Sequence, residues 1–172
     1  MTFFSGFSLQ GEAELFDAYL DPWRANPYVV AGFSYGAIRA FEHVLASPGR
    51  IDRLLLLSPA WFVNKKSAFK RVQLAAFEKS PEAYLARFFE NALEPAPFDV
   101  TKYRKTGTLR QLEELLHYPW EEAKLEALVK RGVKVEVFLG ARDRIVDAPE
   151  AHRFFRRYAT SWLFKPYGHF LR

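Results

Sequence analysis

The stretch Tyr28-Val29-Val30-Ala31-Gly32-Phe33-Ser34-Tyr35-Gly36 constrains this chain more than any other. Residues 28–32 are apolar and partly β-branched, and too short for a buried helix, so they read as a buried parallel strand. Residues 35–46 read as a helix, stopped by Ser47-Pro48-Gly49. Between the two, Gly32-Phe33-Ser34-Tyr35-Gly36 fits G-x-S-x-G, in which a serine sits on a sharp turn from strand to helix. The glycines have a steric reason: strand and helix can approach this closely around a strained serine only where side chains are missing. The turn also sets the serine beside the unpaired N–H groups of a helix N-terminus. Ser34 is therefore the candidate nucleophile.

The remaining chain supplies a sheet for that turn. Residues 2–4 form a very short apolar run ended by Ser5-Gly6, and residues 53–57 (RLLLL) and 133–139 (VKVEVFL) read as further strands. A last strand is expected over 161–165. Residues 10–20 space Leu15, Phe16 and Leu20 as an amphipathic helix, broken by Pro22 and Pro27. A helix over about 148–158 is capped by Asp147, with Pro149 in its first turn. Strands alternating with helices imply an α/β fold of about five mostly parallel strands flanked by helices. Residues 60–131 interrupt the alternation with helices over about 67–79, 81–93, 108–117 and 121–131. They read as an inserted helical cap, leaving 1–59 and 132–172 as the core.

A serine hydroxyl needs a base, and the base needs a group to orient it. His43, His117 and His152 fall within or at the ends of helices, whereas His169 follows a glycine in a loop just beyond the last strand. That is where parallel-sheet sites gather their residues, so His169 is the candidate base. Asp143 stands at the carboxyl end of the 133–139 strand and keeps the order Ser…Asp…His. Asp147 is better explained as a helix cap, and the loop after RLLLL offers Ser58 rather than a carboxylate. Two backbone donors would complete an oxyanion hole, the amides of Tyr35 and of Phe7 in the Ser5-Gly6-Phe7 loop.

Cysteine is absent, which excludes disulfides, thiolate catalysis and Cys-based metal sites. No apolar run approaches the roughly 20 residues of a membrane span. The opening residues lack the basic and apolar regions of a signal peptide, so a cytoplasmic address is expected. The net charge of +5 is unevenly placed: residues 60–112 hold ten Lys/Arg and five Asp/Glu, and the rest holds fifteen of each. A local basic field of this kind can recruit an acidic partner within the range that salt screening allows. Solvated helix faces explain the same charges equally well.

Ser5-Gly6-Phe7 after a strand, GFSYG, GARDRIVD and YGH resemble the α/β-hydrolase superfamily in order and spacing, here in a reduced form. FFSGF, GFSYGAIRA, LLLLSPA, SAFKRVQLAAFEK, VKVEVFLGARDRI and Trp162-x-Phe164-Lys165 resemble, over most of the chain, the BioV type of pimeloyl-acyl-carrier-protein methyl ester esterase. That resemblance implies hydrolysis of a methyl ester at the far end of a pimeloyl chain borne by acyl carrier protein, in biotin synthesis. It requires neither metal nor organic cofactor, and implies no nucleic-acid or membrane partner. Residues fit it separately. Trp61, Phe62, Phe69, Phe77, Phe88 and Phe89 are candidates to line a tunnel for an apolar chain. Lys65, Lys66, Lys70, Arg71 and Arg87 are candidates to meet an acidic carrier. Two other functions stay open: a carboxylesterase or thioesterase for small or CoA-bound acyl groups, and a catalytically silent hydrolase-like binding module.

Overall fold

A computed structural model describes residues 1–172. Five strands form one sheet in chain order: β1 (Thr2–Phe4), β2 (Val29–Phe33), β3 (Arg53–Leu57), β4 (Lys134–Gly140) and β5 (Thr160–Phe164). Every neighbouring pair is parallel. The unbroken leucines of β3 follow from burial on both faces. Leu54 and Leu56 join Val30, Val135 and Val137 in one core, while Leu55 and Leu57 join Val29, Ala31 and Phe33 in the other. Side chains alternate along a strand, so a strand buried on both sides has no polar position.

The first core is covered by α2 (Tyr35–Ala46), α6 (Glu122–Lys130) and α7 (Ala148–Phe155), through residues such as Phe41, Leu125, Leu128 and Phe155. Asp147 caps α7, accepting the Glu150 N–H at 3.1 Å, with Pro149 in the first turn. The second core is closed by residues 12–23, which supply Phe16 and Leu20. Here the structure departs from one helix over 10–20. A 3-10 turn (Glu12–Phe16), a single α-turn, α1 (Asp17–Leu20), and a second 3-10 turn (Asp21–Trp23) follow one another. Gly11, at φ 73°, opens the segment, and the Glu12 carboxylate binds the Gly6 N–H, which holds the first turn inward.

Between β3 and β4 lie α3 (Ser67–Lys79), α4 (Pro81–Ala92), α5 (Leu109–His117) and α6. Ser80 caps α4, and Thr108 with Gln111 forms a capping box on α5. The stretch divides into two parts. Helix α3 packs on both α4 and α5, and the three wall a cleft that reaches Ser34. Helix α6 instead returns to the sheet, packing on α2 and β4, and Arg131 beyond it donates to the carbonyls of Val44, Leu45 and Ser47. It is thus the crossover helix of a β-α-β unit. No helix is long and apolar enough to cross a membrane.

Candidate active site

Ser34 stands between β2 and α2 with φ 53° and ψ −114°, a conformation that L-residues adopt only when their surroundings impose it. Its N–H donates to the Leu57 carbonyl at 2.9 Å, and its carbonyl accepts the N–H groups of Ala37 and Ala60, each at 3.1 Å. The flanking glycines are sterically required. A Cβ on Gly32 would lie 2.2 Å from the Gly36 carbonyl oxygen, and one on Gly36 would lie 2.0 Å from that of Phe4.

The structure brings Ser34, Asp143 and His169 together. His169 Nε2 lies 3.0 Å from Ser34 Oγ, and His169 Nδ1 lies 2.6 Å from Asp143 Oδ2. A carboxylate only accepts, so Nδ1 carries the proton and Nε2 is left to accept from the serine hydroxyl. The second Asp143 oxygen accepts the N–H groups of Ile145 (2.7 Å) and Val146 (3.1 Å), which fixes the carboxylate. The side chains of His169 and Asp143 are sealed from solvent. Residues beyond His169 hold it in place. Phe170 packs on Phe16 and Phe33, Tyr19 donates to the Leu171 carbonyl, and Arg172 donates to the Leu15 carbonyl.

The other histidines are held elsewhere. His43 packs on Phe4, and His117 bonds within α5. His152 Nδ1 meets Ser161 Oγ, and burial with nearby Arg156 lowers its pKa. Asp147, besides capping α7, accepts the Asn64 amide. Ser58 is fully buried at φ 40°, and its Oγ has no partner. No group of His, Asp or Glu side chains converges so as to hold a metal ion.

A cleft of about 580 Å³ opens over Ser34, and Phe7 lines it too. The Phe7 N–H donates to no protein acceptor, and Tyr35 heads α2, so its N–H has no carbonyl one turn back. The Tyr35 phenol points away, donating to Glu114 of α5 at 2.5 Å, and Arg110 binds the same carboxylate. Burial first, and then Glu114, pushes the Tyr35 phenol up to about 12, while Tyr35 and Arg110 hold the Glu114 carboxyl below its ordinary range.

Of the six cap aromatics singled out as tunnel candidates, Phe62, Phe69 and Phe88 line the cleft. Trp61, Phe77 and Phe89 do not. Trp61 packs on Phe154 and Phe155, and Phe77 and Phe89 are buried against other rings and helices. Successive helical residues point about 100° apart, so Phe88 and Phe89 face different surroundings. Among the five selected cations, Arg87 lines the cleft, whereas Lys65, Lys66, Lys70 and Arg71 lie at or near the start of α3. None of the five pairs with a carboxylate, and Val63, Phe69 and Val72 are exposed among them. Lys79, Tyr84 and Arg144 also line the cleft. Only Arg144 had a local signal, its place directly after Asp143.

This sheet, with its strand–serine–helix turn, is the α/β-hydrolase fold. The structure of an esterase from Exiguobacterium antarcticum superposes with TM-score 0.62 at 17% identity, over 82% of this chain. The chain spans 59% of that esterase. MenH from S. aureus superposes with TM-score 0.62 at 14% identity, over 98% of this chain and 85% of its own. BioG from Haemophilus influenzae does so with TM-score 0.59 at 12% identity, over 99% and 88%. No protein-family model matches the sequence, and no curated protein sequence does.

Proposed function

We propose that this protein is a serine ester hydrolase whose substrate is the methyl ester of a pimeloyl chain borne by acyl carrier protein. The observation that carries the hydrolase reading is the unbroken contact from Asp143 through His169 to Ser34 Oγ, opening on an apolar cleft. His169 Nε2 takes the Ser34 proton as Oγ attacks the ester carbonyl, and Asp143 stabilises the imidazolium that forms. The amides of Tyr35 and Phe7 bind the oxyanion. Collapse of the tetrahedral adduct expels methanol, which carries the proton from His169. Water then cleaves the acyl-serine by the same route.

The substrate reading rests on two features. The cleft combines aromatic walls from α3, α4 and residue 62 with the cations Lys79, Arg87 and Arg144. Beside it, the unpaired cations Lys65, Lys66, Lys70 and Arg71 share the start of α3 and the residues before it with exposed Phe69 and Val72, and Lys65 lies over the Phe69 ring, a combination that suits a highly acidic carrier. The sequence resemblance to the BioV type points the same way.

Two assays separate this reading from its alternatives. A fluorophosphonate should label wild-type protein at Ser34 and leave Ser34→Ala unlabelled. Absence of labelling would favour a silent binding module. Carrier-borne methyl ester should then be hydrolysed faster than free methyl ester at low salt. Equal rates, indifferent to salt, would favour a general carboxylesterase.

A further inference from the structure

Glu12 is a buried carboxylate that the triad does not use. Its side chain lies at 0% exposure, beneath the loop that follows β1. Oε1 accepts the Gly6 N–H at 2.6 Å, and Oε2 has no partner. No Lys or Arg pairs with it, and burial pushes its carboxyl upward, against the backbone hydrogen bonding that favours the charged form. A carboxylate is costly to bury without a cation, so its retention here calls for a role beyond packing.

The loop geometry supplies that role. The Gly6 carbonyl accepts the Leu9 N–H at 3.2 Å. In a trans peptide the N–H of the next residue points opposite to that carbonyl. The peptide that carries the Phe7 N–H is therefore oriented by the Gly6 carbonyl on one side. Glu12 fixes the preceding N–H on the other. Gly6 is flexible by composition, and a Cβ there would meet the Phe33 ring at 2.8 Å, so the rigidity has to come from partners. On the far side of Phe7, Ser8 is held by the N–H groups of Lys105 (2.9 Å, to its carbonyl) and Gly107 (3.0 Å, to its hydroxyl).

We infer that Glu12 is a positioning residue that tethers Gly6 and thereby aims the Phe7 N–H at the oxyanion. This rests on the hydrolase reading above. It makes Glu12 necessary for the rate of the chemical step and not for binding of the ester.

The test compares two uncharged replacements of similar size, using a small activated ester as probe. Glu12→Gln keeps an acceptor oxygen for the Gly6 N–H, whereas Glu12→Met fills the volume without one. Glu12→Gln should keep kcat within about threefold of wild type. Glu12→Met should lose about tenfold to a hundredfold in kcat with KM changed less than about threefold, as for a misaimed oxyanion donor. Wild-type kcat in Glu12→Met would overturn the positioning role and leave the hydrolase reading intact. Absence of turnover by wild type itself would strike both. Should Glu12→Met fail to fold, amide exchange in wild-type protein decides: the Gly6 N–H should be protected, and exchange at open-loop rates would overturn the tether.

Discussion

Asp143 and His169 stand 26 residues apart in sequence, yet Oδ2 of one lies 2.6 Å from Nδ1 of the other, with both side chains closed to solvent. In such a setting the aspartate fixes which imidazole nitrogen bears the proton. Asp143→Asn keeps the shape and reverses that preference, so kcat should fall on the order of 10⁴-fold with little loss of stability. Asp147→Ala should do the opposite, removing the α7 cap at a cost of about 1 kcal/mol while kcat stays near wild type. Steady-state rates and thermal melts of the two variants decide which aspartate serves the histidine.

The glycine after the nucleophile is the tightest steric point of the site. A Cβ on Gly36 would meet the Phe4 carbonyl oxygen at 2.0 Å, and backbone atoms cannot give way as a flexible side chain can. Gly36→Ala should cost about 3 kcal/mol, a melting temperature lower by roughly 10 °C. A melt unchanged from wild type would mean that β1 and α2 are not this close.

The buried Glu12 makes stability depend on pH with a definite sign. Burial raises its carboxyl pKa in the folded state above the ordinary 4.5. The native state therefore binds more protons than the unfolded chain between those values, and stability falls as pH rises through that window. Glutamine has no charged form to bury. Glu12→Gln should melt above wild type at pH 8, and the gap should close as pH falls below 4.5. A gap that widens on acidification would contradict the direction of the shift.

Cations near the start of α3 should matter only when the acyl chain arrives on a protein. Lys70→Glu combined with Arg71→Glu should lower kcat/KM for the carrier-borne ester about tenfold at low salt and leave the free ester unaffected. Raised salt should shrink the difference. Equal losses on both substrates would place these residues in folding or chemistry instead.

What could be read from the sequence is what depends on short range. The β2–Ser34–α2 turn, the two-sided leucines of β3 and the cap of α7 each follow from a few adjacent residues, and the structure has them in place. His169 was legible because it follows a strand and a glycine. Glu12 was not, since an acidic residue at the start of a helix ordinarily faces solvent, and only the tertiary approach of Gly6 buries it. The division of the 60–131 helices was equally hidden: an amphipathic helix shows that it covers something, not whether that is the sheet, as for α6, or a cleft, as for α3. For the same reason Phe77 and Phe88 could not be told apart by composition, although one is packed in the core and the other faces the cleft.

The most direct measurement is the intact mass of acyl carrier protein bearing pimeloyl methyl ester, after incubation with wild-type protein and with Ser34→Ala. Wild type should remove about one methylene mass from the carrier, and Ser34→Ala should leave it unchanged. Loss of that mass with both proteins would remove Ser34 from the chemistry. No loss with either, while small model esters are still cleaved by wild type, would contradict the carrier-borne substrate.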